Sequence, residues 1–142
     1  RFRFRFRFRC GAAAQPIVGD AFKEMERMRS QGDRFDLVIV DPPSMANKKA
    51  HIEKAVRAYE KLASIAAGLL RPNGTLVFAS CSAKISAQVF EDAIRNGVRK
   101  AGGRLQIFEK TGHAFDHPVI FDQGSYLKCV YAKLATTQKS SS

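Results

Sequence analysis

Two short turns carry the residue types that could do covalent chemistry. Asp41-Pro42-Pro43-Ser44 directly follows the apolar run Phe35 to Val40, and Ser80-Cys81-Ser82 directly follows the run Thr75 to Ala79. Both runs are short and rich in β-branched or aromatic residues, which marks buried strands rather than helices. In open α/β sheets ligands collect beyond the carboxyl ends of the strands, so two neighbouring strand ends can bring a carboxylate and a thiol to one cleft. That pairing suggests covalent chemistry on a base. Taken alone, Cys81 reads as a small buried hydrophobe, and the alternative for Asp41 is an exposed residue of a rigid connection. Their placement at two strand ends, with a polar serine on each side of the cysteine, favours the chemical reading.

The elements that must position these turns follow from the spacing of apolar residues. Pro16 to Val18 reads as a short strand, Gly19-Asp20 as a turn, and Phe22, Met25 and Met28 mark the apolar face of a helix that Asp20 caps. Gln31-Gly32-Asp33 ends that helix ahead of the central strand Phe35 to Val40. Ile52, Val56, Tyr59, Leu62, Ile65, Ala66 and Leu69 form one face of a long helix, closed by Arg71-Pro72-Asn73-Gly74. After the strand Thr75 to Ala79, Ile85, Val89, Phe90, Ala93, Ile94 and Val98 define a helix that stops at Gly102-Gly103. Leu105 to Phe108 and Tyr126 to Tyr131 are the last strands. The order β-α-β-α-β-α-β-β predicts an α/β fold with a mostly parallel sheet, ending in an antiparallel pair because no helix separates the final strands.

Composition limits the classes of function. With 142 residues and 45% hydrophobic composition the chain can build one core. Its formal charge is +11, and the arginines at 1, 3, 5, 7 and 9 supply five of those charges, so +6 belongs to the remainder. A basic surface fits a nucleic-acid partner, since neutralising phosphates releases counterions, and it equally fits a solvated face. Cys10, Cys81 and Cys129 form no CxxC pair and no Cys/His set at metal-ligand spacing, so no metal centre or disulfide framework is expected and a reducing, cytoplasmic setting is. No apolar stretch approaches the roughly 18 residues that would suggest a membrane span. Residues 1–15 form a low-complexity Arg/Phe head and loop, 16–134 the folded domain, and 135–142 a polar tail expected to be disordered.

Three motifs in order, Asp41-Pro42-Pro43-Ser44, Gly74 with Ser80-Cys81-Ser82, and Asp116-His117-Pro118 with Tyr126-Leu127-Lys128, resemble the class I S-adenosylmethionine-dependent methyltransferases that modify cytosine carbon 5 in 23S ribosomal RNA. The resemblance runs from about Pro16 to Leu134 and covers the C-terminal part of the methyltransferase domain. It implies a Rossmann-like class I methyltransferase fold with its N-terminal strands missing, S-adenosylmethionine as cofactor and ribosomal RNA as partner. It implies that Cys81 is the nucleophile and that Asp41 holds the base, with Asp20, Ala21, Phe22, Asp41 and Pro42 at the cofactor. Pro43, Ser44, Ser80, Ser82, His117 and Lys128 would then face the substrate.

Two departures qualify the resemblance. The family fold opens with a strand, a glycine-rich loop and a second strand ending in an acidic residue, and no such segment precedes Pro16. Cofactor binding by these residues alone is therefore expected to be weak, and the sheet edge left open, or the Arg/Phe strand, could serve a homodimer. Met45 also stands where the family more often has an aromatic residue. Two alternatives stay open: a class I methyltransferase acting on a guanine ring nitrogen or an exocyclic amine, and a non-catalytic RNA-binding or assembly fragment. Ser44 argues against amine chemistry, in which an aromatic residue after the prolines stacks on the flipped base. His113 could serve as an acid/base group, as could His117, which is assigned a positioning role only.

Overall fold

The chain is described by a computed structural model covering residues 16–46, 48–113 and 126–135. Helix α1 (Ala21–Ser30) starts at Asp20, whose carboxylate accepts from the Lys23 backbone N–H at 3.2 Å. Strand β1 (Phe35–Val40) follows, and after one 3-10 turn at Lys49–His51 comes α2 (Ile52–Leu69). Strand β2 (Leu70–Ser80) leads to α3 (Ala87–Lys100), which begins at Ser86 with its hydroxyl on the Val89 N–H, 3.2 Å away. Strands β3 (Arg104–Thr111) and β4 (Lys128–Ala135) complete the described elements.

The four strands lie in the order β1-β2-β4-β3. β1 and β2 are parallel, with Val40 level with Phe78, whereas β4 runs antiparallel to both β2 and β3. The expected alternation is present from the first helix onward, the closing pair is antiparallel as expected, and β4 inserts between β2 and β3. Residues 16–18, expected as a strand, lie outside any sheet, with Ile17 and Val18 42% and 66% exposed. A strand needs a neighbour to satisfy its backbone, and no described strand runs beside them. Arg71 to Gly74, expected only as a turn, belongs to β2; the partner register jumps from Phe35↔Leu70 to Leu37↔Thr75 and absorbs the extra residues, with Asn73 at φ 62°. The expected motif Asp116-His117-Pro118 lies outside the described residues.

The core is built on one face of the sheet. Leu76, Phe78, Val130, Ala132 and Leu134 meet Tyr59, Leu62 and Ala66 of α2 and Phe90, Ile94 and Val98 of α3. Phe78 and Phe90 stack at 5.5 Å, and Tyr59 stands edge-on to both rings at 6.1 and 5.1 Å. The other face carries Leu37, Ile39 and Phe108, respectively 51%, 42% and 56% exposed.

An acidic group ties α3 to β3. Glu91 accepts from Arg95 at 3.0 Å and from Lys110 at 3.1 Å. Burial pushes the Glu91 carboxyl up, but the hydrogen bonds and charges of Arg95 and Lys110 outweigh it and hold the group below the usual carboxylate range. A depressed native value stabilises the fold above the unfolded-state titration and loses that contribution as pH falls through the native one. Glu91→Gln is thus expected to cost about 0.5–1 kcal/mol at pH 7. In urea unfolding at pH 7 and pH 3, the gap between wild type and E91Q should shrink at pH 3; a constant gap would contradict the assignment.

Candidate functional site

β1 and β2 are parallel neighbours, so their carboxyl ends leave the sheet on the same side. Asp41 sits one residue beyond the Val40↔Phe78 pair and Cys81 three beyond it, which puts their backbones roughly 8 Å apart from strand rise and spacing. The loops they begin are in contact: the Met45 N–H donates to Ser82 Oγ at 3.0 Å, and Ser44 Oγ is 3.5 Å from the same oxygen. The carboxylate and thiol turns therefore converge.

The flanking serines explain how Cys81 is held. Ser80 and Ser82 are 1% and 0% exposed, and both hydroxyls lie 2.8 Å from the phenol of Tyr59. The Ser82 N–H also donates to Ser80 Oγ at 3.2 Å. With its neighbours turned inward, Cys81 itself is half-buried. The expectation that Ser80 and Ser82 face a substrate is revised, because a buried hydroxyl must spend its hydrogen bonds inside. Tyr59 was legible only as one residue of an apolar helix face. A buried tyrosine must still find a partner for its hydroxyl, and that is the signal within an otherwise aliphatic stripe.

Lys128 closes the turn from the other side. It opens β4 opposite Ser80, and its ammonium donates to the Ser82 carbonyl at 2.9 Å and the Tyr126 carbonyl at 3.0 Å. Burial pulls this lysine below its usual value, and the neighbouring Cys81 pushes the other way, which places the two groups in electrostatic reach. His113 steadies the approach: its Nε2 accepts the Tyr126 and Leu127 N–H groups at 3.2 and 3.3 Å, and its ring meets Tyr126 edge-on at 4.8 Å. Both contacts tie His113 to the residues that lead into β4. His117 lies outside the described residues.

Cys129 provides a comparison. Burial pushes its thiol up, against hydrogen bonds with Tyr131 and Thr111 and a further upward push from Asp41. A thiol held protonated is a poor nucleophile. Its environment marks Cys129 as a structural thiol.

The cofactor candidates gather elsewhere on the same rim. A cleft of about 390 Å³ between α1 and the end of β1 is lined by Ala21, Phe22, Met25, Val40, Asp41 and Pro42, among others. Pro42 is buried and Asp41 exposed, so the cleft is apolar inside with a carboxylate at its mouth. Asp20 caps α1 beside it. Pro43 and the half-buried Ser44 stand between this cleft and the cysteine turn. Among the described residues no cluster of His, Cys, Asp and Glu could hold a metal ion, and no helix is long and apolar enough to cross a membrane.

No protein-family model matches the chain. It is 41% identical over 123 residues to a ribosomal RNA large subunit methyltransferase of Deinococcus radiodurans, an alignment covering 87% of this chain and 30% of the relative. It is 37% identical over 117 residues to the ribosomal RNA large subunit methyltransferase I of Shewanella amazonensis, covering 81% of this chain and 30% of that protein. The chain thus spans about 30% of the length of these curated relatives. Among solved structures it superposes on a protein assigned as a methyltransferase and complexed with SAH, with a TM-score of 0.68 and 24% identity over 82% of this chain and 30% of the other. The architecture is that of the class I methyltransferases, as the strand order and the sequence expected.

Proposed function

We infer, from the premise that this chain carries the class I methyltransferase fold and is homologous to one segment of ribosomal RNA large subunit methyltransferases, that it supplies the base-modifying half of an RNA cytosine-5 methyltransferase site. The observation that carries this reading is Cys81, aimed out of the β2 end by two inward-facing serines and fastened to the loop that begins with Asp41.

Carbon 5 of cytosine is a weak nucleophile, which is why the chemistry asks for a thiol. In the proposed reaction Cys81 Sγ adds as thiolate to carbon 6, and the electron pair of the 5,6 double bond moves toward carbon 5. Asp41 holds the ring through its ring nitrogen and amino group, fixing carbon 6 over the sulfur. S-adenosylmethionine, when bound, supplies the electrophilic methyl. A water molecule then takes the proton from carbon 5, whose bonding pair restores the 5,6 double bond as the carbon 6–sulfur bond breaks, so Cys81 returns as thiolate to its starting state. The Lys128 ammonium is held by two carbonyls beside the cysteine turn.

The residues present fit the adenine end of the methyl donor. Phe22, Ala21 and Pro42 offer apolar contact in the cleft, and Asp41 and Asp20 offer acceptors near its mouth for an exocyclic amine. Pro43 and Ser44 then face the base. Lys48, Lys49, His51, Lys54 and Arg57 are exposed just beyond the Asp41 loop, where they would meet phosphates flanking a base drawn into the site.

The product tests this reading. Full-length protein incubated with labelled S-adenosylmethionine and ribosomal RNA should yield 5-methylcytidine after hydrolysis. Label recovered in a methylated guanine or in an exocyclic amine would overturn it.

A further inference from the structure

We propose that Tyr59 is a positioning residue that couples the two loops of the site, so that the turn presenting Cys81 and the loop presenting Asp41 hold one fixed relation. Three observations carry this. The ring of Tyr59 is fully buried and fixed edge-on to the stacked rings of Phe78 and Phe90, so the hydroxyl has a defined place at the end of a rigid lever. That hydroxyl lies 2.8 Å from both serines flanking Cys81. Ser82 Oγ then passes the constraint on, accepting the Met45 N–H at 3.0 Å and lying 3.5 Å from Ser44 Oγ.

The directions of these bonds are limited by the atoms. Met45 N and Ser82 N can only donate, so Ser82 Oγ and Ser80 Oγ each accept one backbone N–H. Each serine keeps one proton and the phenol keeps one, enough for a continuous chain from Ser80 through Tyr59 to Ser82 in either sense. Among the described residues no buried side-chain polar atom is left without a partner, so the network is closed. A closed buried network specifies a single geometry, and removing one member leaves the others unpaired. Phenylalanine at position 59 keeps the ring and deletes only the hydroxyl that joins the serines.

As a role in methyl transfer this rests on the function proposed above, but its structural half is measured without any reaction. In the 142-residue chain, Tyr59→Phe should speed hydrogen exchange of the Met45 and Ser82 amides at least about tenfold, while Leu76 and Ile94 stay within about twofold. Ser82→Ala, which deletes the acceptor itself, should accelerate Met45 equally and serves if Y59F does not fold. Unchanged exchange at Met45 in both variants overturns the coupling. In full-length protein, Y59F should lower kcat about tenfold and leave KM for S-adenosylmethionine within about twofold. Faster exchange with unchanged kcat overturns the positioning role, whereas turnover by Cys81→Ala would instead defeat the covalent reading and leave the exchange result standing.

Discussion

Cys81→Ala in the full-length protein is expected to lower methyl transfer by at least about a thousandfold, with S-adenosylmethionine affinity unchanged within twofold. In the proposed reaction the thiol forms the bond that makes carbon 5 nucleophilic, so its loss removes the step on which transfer depends. In that proposal Asp41 holds the ring and the addition at carbon 6 falls to Cys81. Cys129 is poorly placed to substitute, because it lies within strand β4, hydrogen-bonded to Tyr131 and Thr111, and burial pushes its thiol up, away from the nucleophilic thiolate. Cys129→Ala should therefore leave turnover within about threefold of wild type, and the pair of variants separates a catalytic thiol from a structural one. Turnover by C81A above a tenth of wild type would remove the covalent step from the account.

The second large effect concerns the frame behind the site. Helices α2 and α3 pack tightly at Gly97, where an added Cβ would stand 2.1 Å from the Glu60 carbonyl oxygen and 2.8 Å from Ala63 Cβ. The oxygen belongs to the backbone, so no side-chain rotation relieves the contact and the helices must separate. Alanine gains about 1 kcal/mol of helix propensity over glycine, but forced separation of a packed pair costs about 3 kcal/mol. Gly97→Ala is expected to lose about 2 kcal/mol net, lowering the melting temperature by about 6–8 °C, and Gly97→Val to lose more. The damage reaches the site because Tyr59, one residue before Glu60, holds the cysteine turn. Melting of G97A at or above the wild-type temperature would mean that the two helices do not pack there as described.

Much of this fold was legible because its elements announce themselves locally. The apolar spacing from Ile52 to Leu69 predicts α2 with its observed bounds, and Asp20 and the Gly102-Gly103 pair mark real helix ends. The run Phe35 to Val40 is β1 without adjustment. What local pattern did not carry was pairing. Ile17 and Val18 have strand-forming side chains, but a strand exists only beside another. The reach of β2 back to Leu70 depends on Phe35 lying alongside, and the insertion of β4 between β2 and β3 is a tertiary choice that no window of sequence expresses.

The site divides in the same way. The carboxylate and thiol turns were visible as polar residues at the ends of apolar runs, and the structure brings their loops into hydrogen-bond contact. The inward direction of Ser80 and Ser82 was not visible. Serines around a cysteine look like a polar rim, and only the buried phenol of Tyr59, about 20 residues earlier in the chain, makes them internal. Lys128 stands among the substrate-facing candidates of the sequence, and its ammonium is held by the Ser82 and Tyr126 carbonyls at the cysteine turn. His113 orders the segment leading to that lysine.

The central claim is a covalent bond between Cys81 and cytosine carbon 6, and it can be trapped. With 5-azacytidine in the target RNA, position 5 is a nitrogen that carries no proton after methyl transfer, so the elimination that frees the thiolate cannot proceed. Full-length protein incubated with such RNA and S-adenosylmethionine should give a stable protein–RNA complex, and peptide mass spectrometry should place the nucleotide on the peptide containing Cys81. A nucleotide mapped to Cys129 or Cys10, or methylated product formed from unsubstituted RNA while the substituted RNA gives no complex, would contradict the account.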